Sequence, residues 1–223
     1  MNLMNKGDVT MGREFDQLFD NWAPSYDKTV SGYDEEYKEV FRRYDEILNQ
    51  VASKAKGTVL EFGIGTGNLT EKLLQKGLQV IGIEPSKEMR TIAKRKLNFE
   101  ALDGDFLTFN LPTTPINSIV STYAFHHLTD EEKRKAVQLY SSILSKHGEI
   151  IIADTIFTNE LEQEKMILFA LNNGHDRLAN DLKTEYYTTI PILTSIFKDN
   201  GFDVCFKQMN DFVWIVHAKK INV

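Results

Sequence analysis

From residue 56 onward the chain alternates between two hydrophobic periods. TVLEF (58–62) is a short apolar run of strand type. GNLTEKLLQKG then places Leu69, Leu73 and Leu74 on one helical face and stops at Gly77. LQVIGIE is a second strand run. After it SKEMRTIAKRKL aligns Met89, Ile92, Ala93 and Leu97, with Ser86 placed to accept from the free amides of the first turn. The short FEALDGDF reads as a third strand and INSIVSTYAF as a fourth. TDEEKRKAVQLYSSILSKHG predicts a helix ending at Gly148, with Thr129 and Glu132 at capping-box spacing and Ala136, Tyr140, Ile143 and Leu144 inward. GEIIIADTIF is a fifth strand, apolar on both faces as a central strand requires.

The C-terminal pattern differs. IPILTSIFKDNGF predicts a helix ending at Gly201, and FDVCFKQMNDFVWIVHAKK holds two strand runs around a polar break at 208–211, a hairpin signal. The expected fold is therefore α/β: a doubly wound, mostly parallel seven-stranded sheet of Rossmann-like type ending in an antiparallel hairpin. Two segments stand outside the alternation. Residues 1–55 form an N-terminal cap, helical in FDQLFDNWA and YDEEYKEVFRRYDEILNQVASKA, ahead of a main domain at 56–223. A helical insertion occupies about 159–187. Ligands of open α/β sheets sit beyond the carboxyl ends of the strands, and both segments can reach that edge.

Composition narrows the function classes. The 223 residues suit one full domain, with 42% apolar residues. No apolar run nears the roughly 20 residues of a membrane helix, and the N-terminus lacks the core of a secretory signal, so a cytoplasmic location is expected. The lone Cys205 permits no internal disulfide and reads as a small buried residue. A net charge of −6, with Lys and Arg alternating with acids on helix faces, argues against a nucleic-acid partner.

The chemistry begins at EFGIGTGNL. A dinucleotide turn, G-x-G-x-x-G, would need glycine where Asn68 stands, and Gly67 comes one residue early. No Gly-Lys-Ser/Thr follows, which excludes a Walker P-loop. What remains is E-x-G-x-G-x-G, formed by Glu61, Gly63, Gly65 and Gly67. With the strand-end acids that follow in order, this resembles the class I S-adenosylmethionine (SAM) methyltransferases. It is similar in particular to the uncharacterised bacterial YrrT-type methyltransferases. The likeness runs through most of the chain and is strongest over 58–153.

The resemblance implies a SAM cofactor, S-adenosylhomocysteine (SAH) as product, and a set of site residues. Alternating glycines let the ligand lie on the backbone, and Glu61 supplies negative charge near the cofactor's ammonium. Glu84, ending the second strand, would accept both ribose hydroxyls, with Ser86 and Met89 beside it. Asp105 would take the adenine amino group and the Phe106 amide a ring nitrogen. Ser121 and Tyr123, in STYAFHHL, would face the methionine moiety and the methyl acceptor. Trp22 and Tyr26, in FDNWAPSYD, would form a lid, with Phe19 beneath. His126 and His127 are the candidate catalytic bases, titrating near the ordinary 6.5, with His175 or Tyr186 next. No further His or carboxylate stands at ligand spacing beside the pair, so no metal site is expected.

A small-molecule acceptor is the expected partner. The chain lacks the D/N-P-P-aromatic run of amino-methylating enzymes, the Pro-Cys pair of pyrimidine attack and the paired acids of metal-dependent catechol enzymes. A tRNA or protein methyltransferase, a non-catalytic SAM or SAH sensor, and a nucleotide-sugar or NAD enzyme remain the alternatives. The acceptor, the atom methylated and the oligomeric state are open at this level.

Overall fold

A computed structural model describes residues 16–221. The cap supplies α1 (Asp16–Lys28), a single wide turn over 29–33 and α2 (Tyr44–Lys54). The sheet-and-helix body follows: β1 (Thr58–Phe62), α3 (Asn68–Gln75), β2 (Gln79–Ile83), α4 (Lys87–Leu97), β3 (Ile116–Thr122), α5 (Asp130–Ile143) and β4 (Leu144–Phe157). The insertion is α6 (Glu160–Asn172) and α7 (Asp176–Thr184). The chain ends with β5 (Thr188–Thr189), α8 (Ile190–Asp199), β6 (Phe202–Gln208) and β7 (Val213–Lys220).

The seven-stranded sheet runs in the order β2-β1-β3-β4-β7-β6, with the short β5 also pairing with β4. β1 is parallel to both β2 and β3, and β3 is parallel to β4. β7 is antiparallel to β4 and to β6, which closes the sheet with the hairpin. Strand alternation divides the core between two faces. Ile151, Ala153 and Phe157 of β4 join the residues of α2, α3 and the insertion, while Ile150, Ile152 and Ile156 join those of α5 and α8. The chain leaves β1 toward β2 on one side and returns as β3 on the other. That reversal opens a crevice at the carboxyl ends of these strands, where a doubly wound sheet holds its ligand.

Several elements depart from the sequence expectation, each for a local reason. FEALDGDF contributes one bridge, Ile83 to Leu102, because Asp105 turns the chain by accepting from the amides of Leu107 and Thr108. The helix expected to reach Gly148 stops at Ile143. Leu144 is extended and pairs with Ile116, and Lys220 Nζ takes the carbonyls of Ser141 and Leu144. Residues 35–43 are turns rather than helix: Arg43 is left-handed (φ 67°) and buried Asn210 donates to the carbonyls of Val40 and Arg42. Cys205 is exposed, since β6 is the edge strand, and Leu74 is half out of the core. The part of the cap before residue 16 lies outside the described residues. Among the described residues no helix is long and apolar enough to cross a membrane.

Candidate active site

At the carboxyl edge of the sheet the strand ends, the cap and the insertion enclose a cavity of about 660 Å³. Its floor on one side is the glycine turn. Gly63 (φ 63°) leaves β1 so tightly that a Cβ there would stand 2.9 Å from the Ala124 side chain. A Cβ on Gly67 would stand 2.7 Å from Leu97, so this glycine lets α3 pack on α4. At Gly65 (φ 54°) such a Cβ would make ordinary contact with Tyr26 Cε1 at 4.0 Å, and both residues line the cavity.

Glu84 is fixed over this floor by two amides. Gly65 N–H donates to Oε2 at 2.8 Å and Ser86 N–H to Oε1 at 2.9 Å, which sets the carboxylate plane at the end of β2. Ser86 caps α4 by accepting from Met89 N–H, as its sequence position predicts, and its hydroxyl donates to Asp20 of α1 at 2.5 Å. A second acid of α1, Asp27, accepts from Thr66 Oγ1 (2.6 Å) and from Asn68 Nδ2 (3.0 Å). Asn68 also meets the Tyr44 hydroxyl and the Lys96 ammonium. The residue that breaks the dinucleotide pattern thus joins Thr66 in tying the cap to the turn.

Across the cavity the strand ends carry side-chain chemistry. Just past β3 stands Tyr123, a non-glycine residue at φ 54°, a conformation that costs about 1–3 kcal/mol and turns the ring into the cavity. Its buried hydroxyl has no hydrogen-bond partner among the described residues. A short turn over 125–127 follows. There Asp154 of β4 grips His126 twice, accepting from its backbone N–H at 2.9 Å and from Nδ1 at 2.6 Å. His126 Nε2 faces Glu185 Oε2 at 3.3 Å, and Tyr187 stacks on the imidazole with centroids 4.9 Å apart. The His127 ring lies 4.1 Å from that of His126 and edge-on to Phe19 at 4.9 Å.

The two covering segments are fastened to each other as well as to the sheet. Arg177 of α7 binds Asp34 and Glu36 of the cap at 2.8 Å each, and Tyr37 donates to Asp181. Buried Lys133 holds the base of the insertion by donating to the carbonyls of Leu128 and Tyr186.

A profile described as a methyltransferase domain matches residues 59–148. An uncharacterized methyltransferase of Bacillus cytotoxicus is 57% identical over 212 residues, covering 94% of this chain and all of that one. One from Geobacillus sp. strain WCH70 is 57% identical with the same coverage. The chain belongs to this methyltransferase family. Its fold is similar to that of magnesium protoporphyrin IX methyltransferase from Synechocystis, solved with bound SAM: TM-score 0.68 and 15% identity, covering 96% of this chain and 99% of that one.

In this methyltransferase the cavity wall includes Trp22, Tyr26, Gly63, Gly65, Glu84, Met89, Asp105, Phe106, Tyr123, His126 and His127 from the sequence-derived set. Glu61, Gly67, Ser86 and Ser121 do not reach it. Glu61 is buried under the turn, where it accepts from Thr70 Oγ1 at 2.8 Å. Burial, with Glu84 nearby, pushes its carboxyl up to about 8 despite the Thr70 hydrogen bond. Ser121 is buried away from the cavity, and its neighbour Thr122 lines it instead. Asp105 lines the wall but spends Oδ1 on the turn amides of Leu107 and Thr108.

The histidines are not the ordinary bases expected from sequence. Burial alone would pull His126 down, but Asp154 and Glu185 outweigh it and raise the imidazole to about 10. Burial and the neighbouring His126 charge depress His127 to about 3. Glu185, which burial would raise, is held at about 2, chiefly by His126. At neutral pH the methyltransferase therefore holds an imidazolium between two carboxylates, beside a neutral histidine.

Asp154, Glu185, Tyr187 and Tyr37 are the residues that sequence reasoning missed. Asp154 had a visible signal: a lone acid inside the apolar run IIIADTIF, where an unpartnered charge would be too costly. Glu185 had none, because it arrives from the end of an insertion without a readable pattern. His175 and Tyr186, the reserve bases, are not on the cavity wall.

Proposed function

We propose that this enzyme transfers the methyl group of SAM to a small-molecule acceptor held in the same cavity. The observation that carries the reading is Glu84: a carboxylate whose plane is set by the amides of Gly65 and Ser86, over a glycine floor that faces Tyr26 and lines the cavity. A diol fits that carboxylate, each oxygen keeping a lone pair after its amide bond. Met89, Asp105 and Phe106 on the adjoining wall suit an adenine ring, and Trp22 and Tyr26 cover the turn. The buried, unmatched Tyr123 hydroxyl suits a polar ligand atom between the two halves.

When bound, SAM supplies an electrophilic methyl group, whose transfer breaks the carbon–sulfur bond and returns the electron pair to sulfur as SAH. The chain's contribution is placement and exclusion of water. The cap and the insertion, joined through Arg177 and Tyr37, close over the reaction space, and in-line approach within it removes most of the entropic barrier. Tyr37, Phe41, Tyr187 and Phe212 give the acceptor side aromatic walls, with His126 and Glu185 as its polar groups. An acceptor that must lose a proton would give it up here, and His126 can take it only when its own Nε2 proton is absent. A space this enclosed, in an acidic chain, suits a metabolite better than a tRNA or a folded protein.

Titration calorimetry with SAM, SAH and NAD tests the cofactor half: SAM and SAH bind, NAD does not. Transfer of labelled methyl from SAM into a fractionated cell extract tests the acceptor half. Label in the small-molecule fraction supports the reading, and label confined to RNA or protein overturns it. Binding without transfer to any fraction leaves a SAM sensor.

A further inference from the structure

The histidine pair and Glu185 make a constellation that methyl transfer as described uses only as polar groups of the acceptor side. One ring nitrogen from each histidine and one Glu185 carboxylate oxygen lie within 4.8 Å of one another on the cavity wall. His126 Nε2 and Glu185 Oε2 are 3.3 Å apart. That is long for a charge-assisted hydrogen bond, which prefers about 2.7–2.9 Å. It equals the edge of a tetrahedron drawn about an ion with ligands at roughly 2.0–2.1 Å. Behind His126, Asp154 holds Nδ1 at 2.6 Å and the backbone amide at 2.9 Å, which fixes the ring and aims Nε2 at the gap. A carboxylate on the far nitrogen of a histidine is the recurrent support of a metal-ligating imidazole.

We propose that His126, His127 and Glu185 bind a divalent transition-metal ion of the zinc type, with one coordination position open to the cavity. Two nitrogens and one carboxylate are the donor set of catalytic rather than closed structural sites. In the loaded site the ion replaces the Nε2 proton of His126. The widest separation among the donors closes by at most about 1.5 Å to reach tetrahedral spacing, a side-chain adjustment. The groups around the gap suit a dication. Asp154 and Glu185 are both on the His126 ring, and the ammonium of Lys133 is engaged by the carbonyls of Leu128 and Tyr186 and by Asp130. An acceptor that offers a thiol, hydroxyl or carboxylate to the open position would be held by that atom. This last step rests on the methyl-transfer reading; the metal site does not.

The experiment uses the full chain, stripped with a chelator and dialysed, and titrated with Co²⁺ followed by visible absorption, then with Zn²⁺ in competition. One equivalent of Co²⁺ with the intense bands of a four- or five-coordinate ion, displaced by Zn²⁺, is the expected result. Glu185→Gln and His127→Gln abolish the bands, Asp154→Asn weakens binding roughly 10–100-fold, and Cys205→Ser changes nothing. SAM calorimetry on each variant separates lost ligation from lost folding, and it also keeps a failure of the metal site distinct from a failure of the cofactor reading. A wild-type chain that takes up no stoichiometric Co²⁺ overturns the proposal without recourse to any variant. Bands that persist in folded Glu185→Gln overturn it equally.

Discussion

The two walls of the cavity are built by different means. The wall at 63–106 is mostly backbone and strand ends: the left-handed Gly63 and Gly65, a carboxylate set by two amides and a capped helix. The opposite wall is side chains brought together from β3, β4, the cap and the insertion, with an ion cluster at its centre. A backbone cradle is specified by a few adjacent residues and serves any member of a family that shares the cofactor. A side-chain wall drawn from distant segments can change with the acceptor while the fold stays constant. Substitutions on the first wall should therefore act on cofactor binding, and those on the second on turnover.

The largest expected effect is on the first wall. Glu84→Ala removes the proposed ribose acceptor and frees the amides of Gly65 and Ser86, and SAM affinity should fall roughly 100–1000-fold in calorimetry. Unchanged affinity would remove Glu84 from the cofactor site and with it the main support for that wall's role. On the second wall, Asp154→Asn breaks the hold on His126. Turnover with the true acceptor should drop about 100-fold while SAM affinity stays within roughly three-fold. A parallel loss of SAM affinity would show that the walls are one unit, and the comparison would collapse. Asn68→Ala tests the joint between turn and cap. Losing its bonds to Asp27, Tyr44 and Lys96 should speed SAM release by about ten-fold in stopped flow, with little change in thermal midpoint.

The same division explains what could be read in advance. Order and type of the main elements followed from periods of 3.6 and 2, and Ser86 and Thr129 were legible as caps because a cap is a local hydrogen bond. The glycine spacing and Glu84 were legible for the same reason. Glu61 was assigned to the ligand from the glycine motif and Ser121 from its place beside Thr122, which does line the cavity, yet both side chains are buried in the core. The His126–Asp154–Glu185 cluster was not legible, since its members come from three segments and no local rule pairs them. Nor was the use of Asn68: in sequence it was only a missing glycine.

Glu61 offers the smallest effect and the finest test, because it belongs to the first wall without touching the cavity. Burial holds its carboxyl up to about 8, against an ordinary value of 4.5 in the unfolded chain. Between those values the folded chain keeps a proton that the unfolded chain has released. Glu61's contribution to stability is therefore full below about pH 4.5, declines as pH rises, and is flat above about pH 8, with a slope of at most about 1.4 kcal/mol per unit. Urea unfolding of wild type and Glu61→Gln across this range isolates the term: the difference between them should change with pH in that window and level off above it. A difference that stays constant would mean that Glu61 is ionised in the fold. The turn would then carry a fixed negative charge beneath the cofactor, and Glu61 would belong electrostatically to the ligand after all.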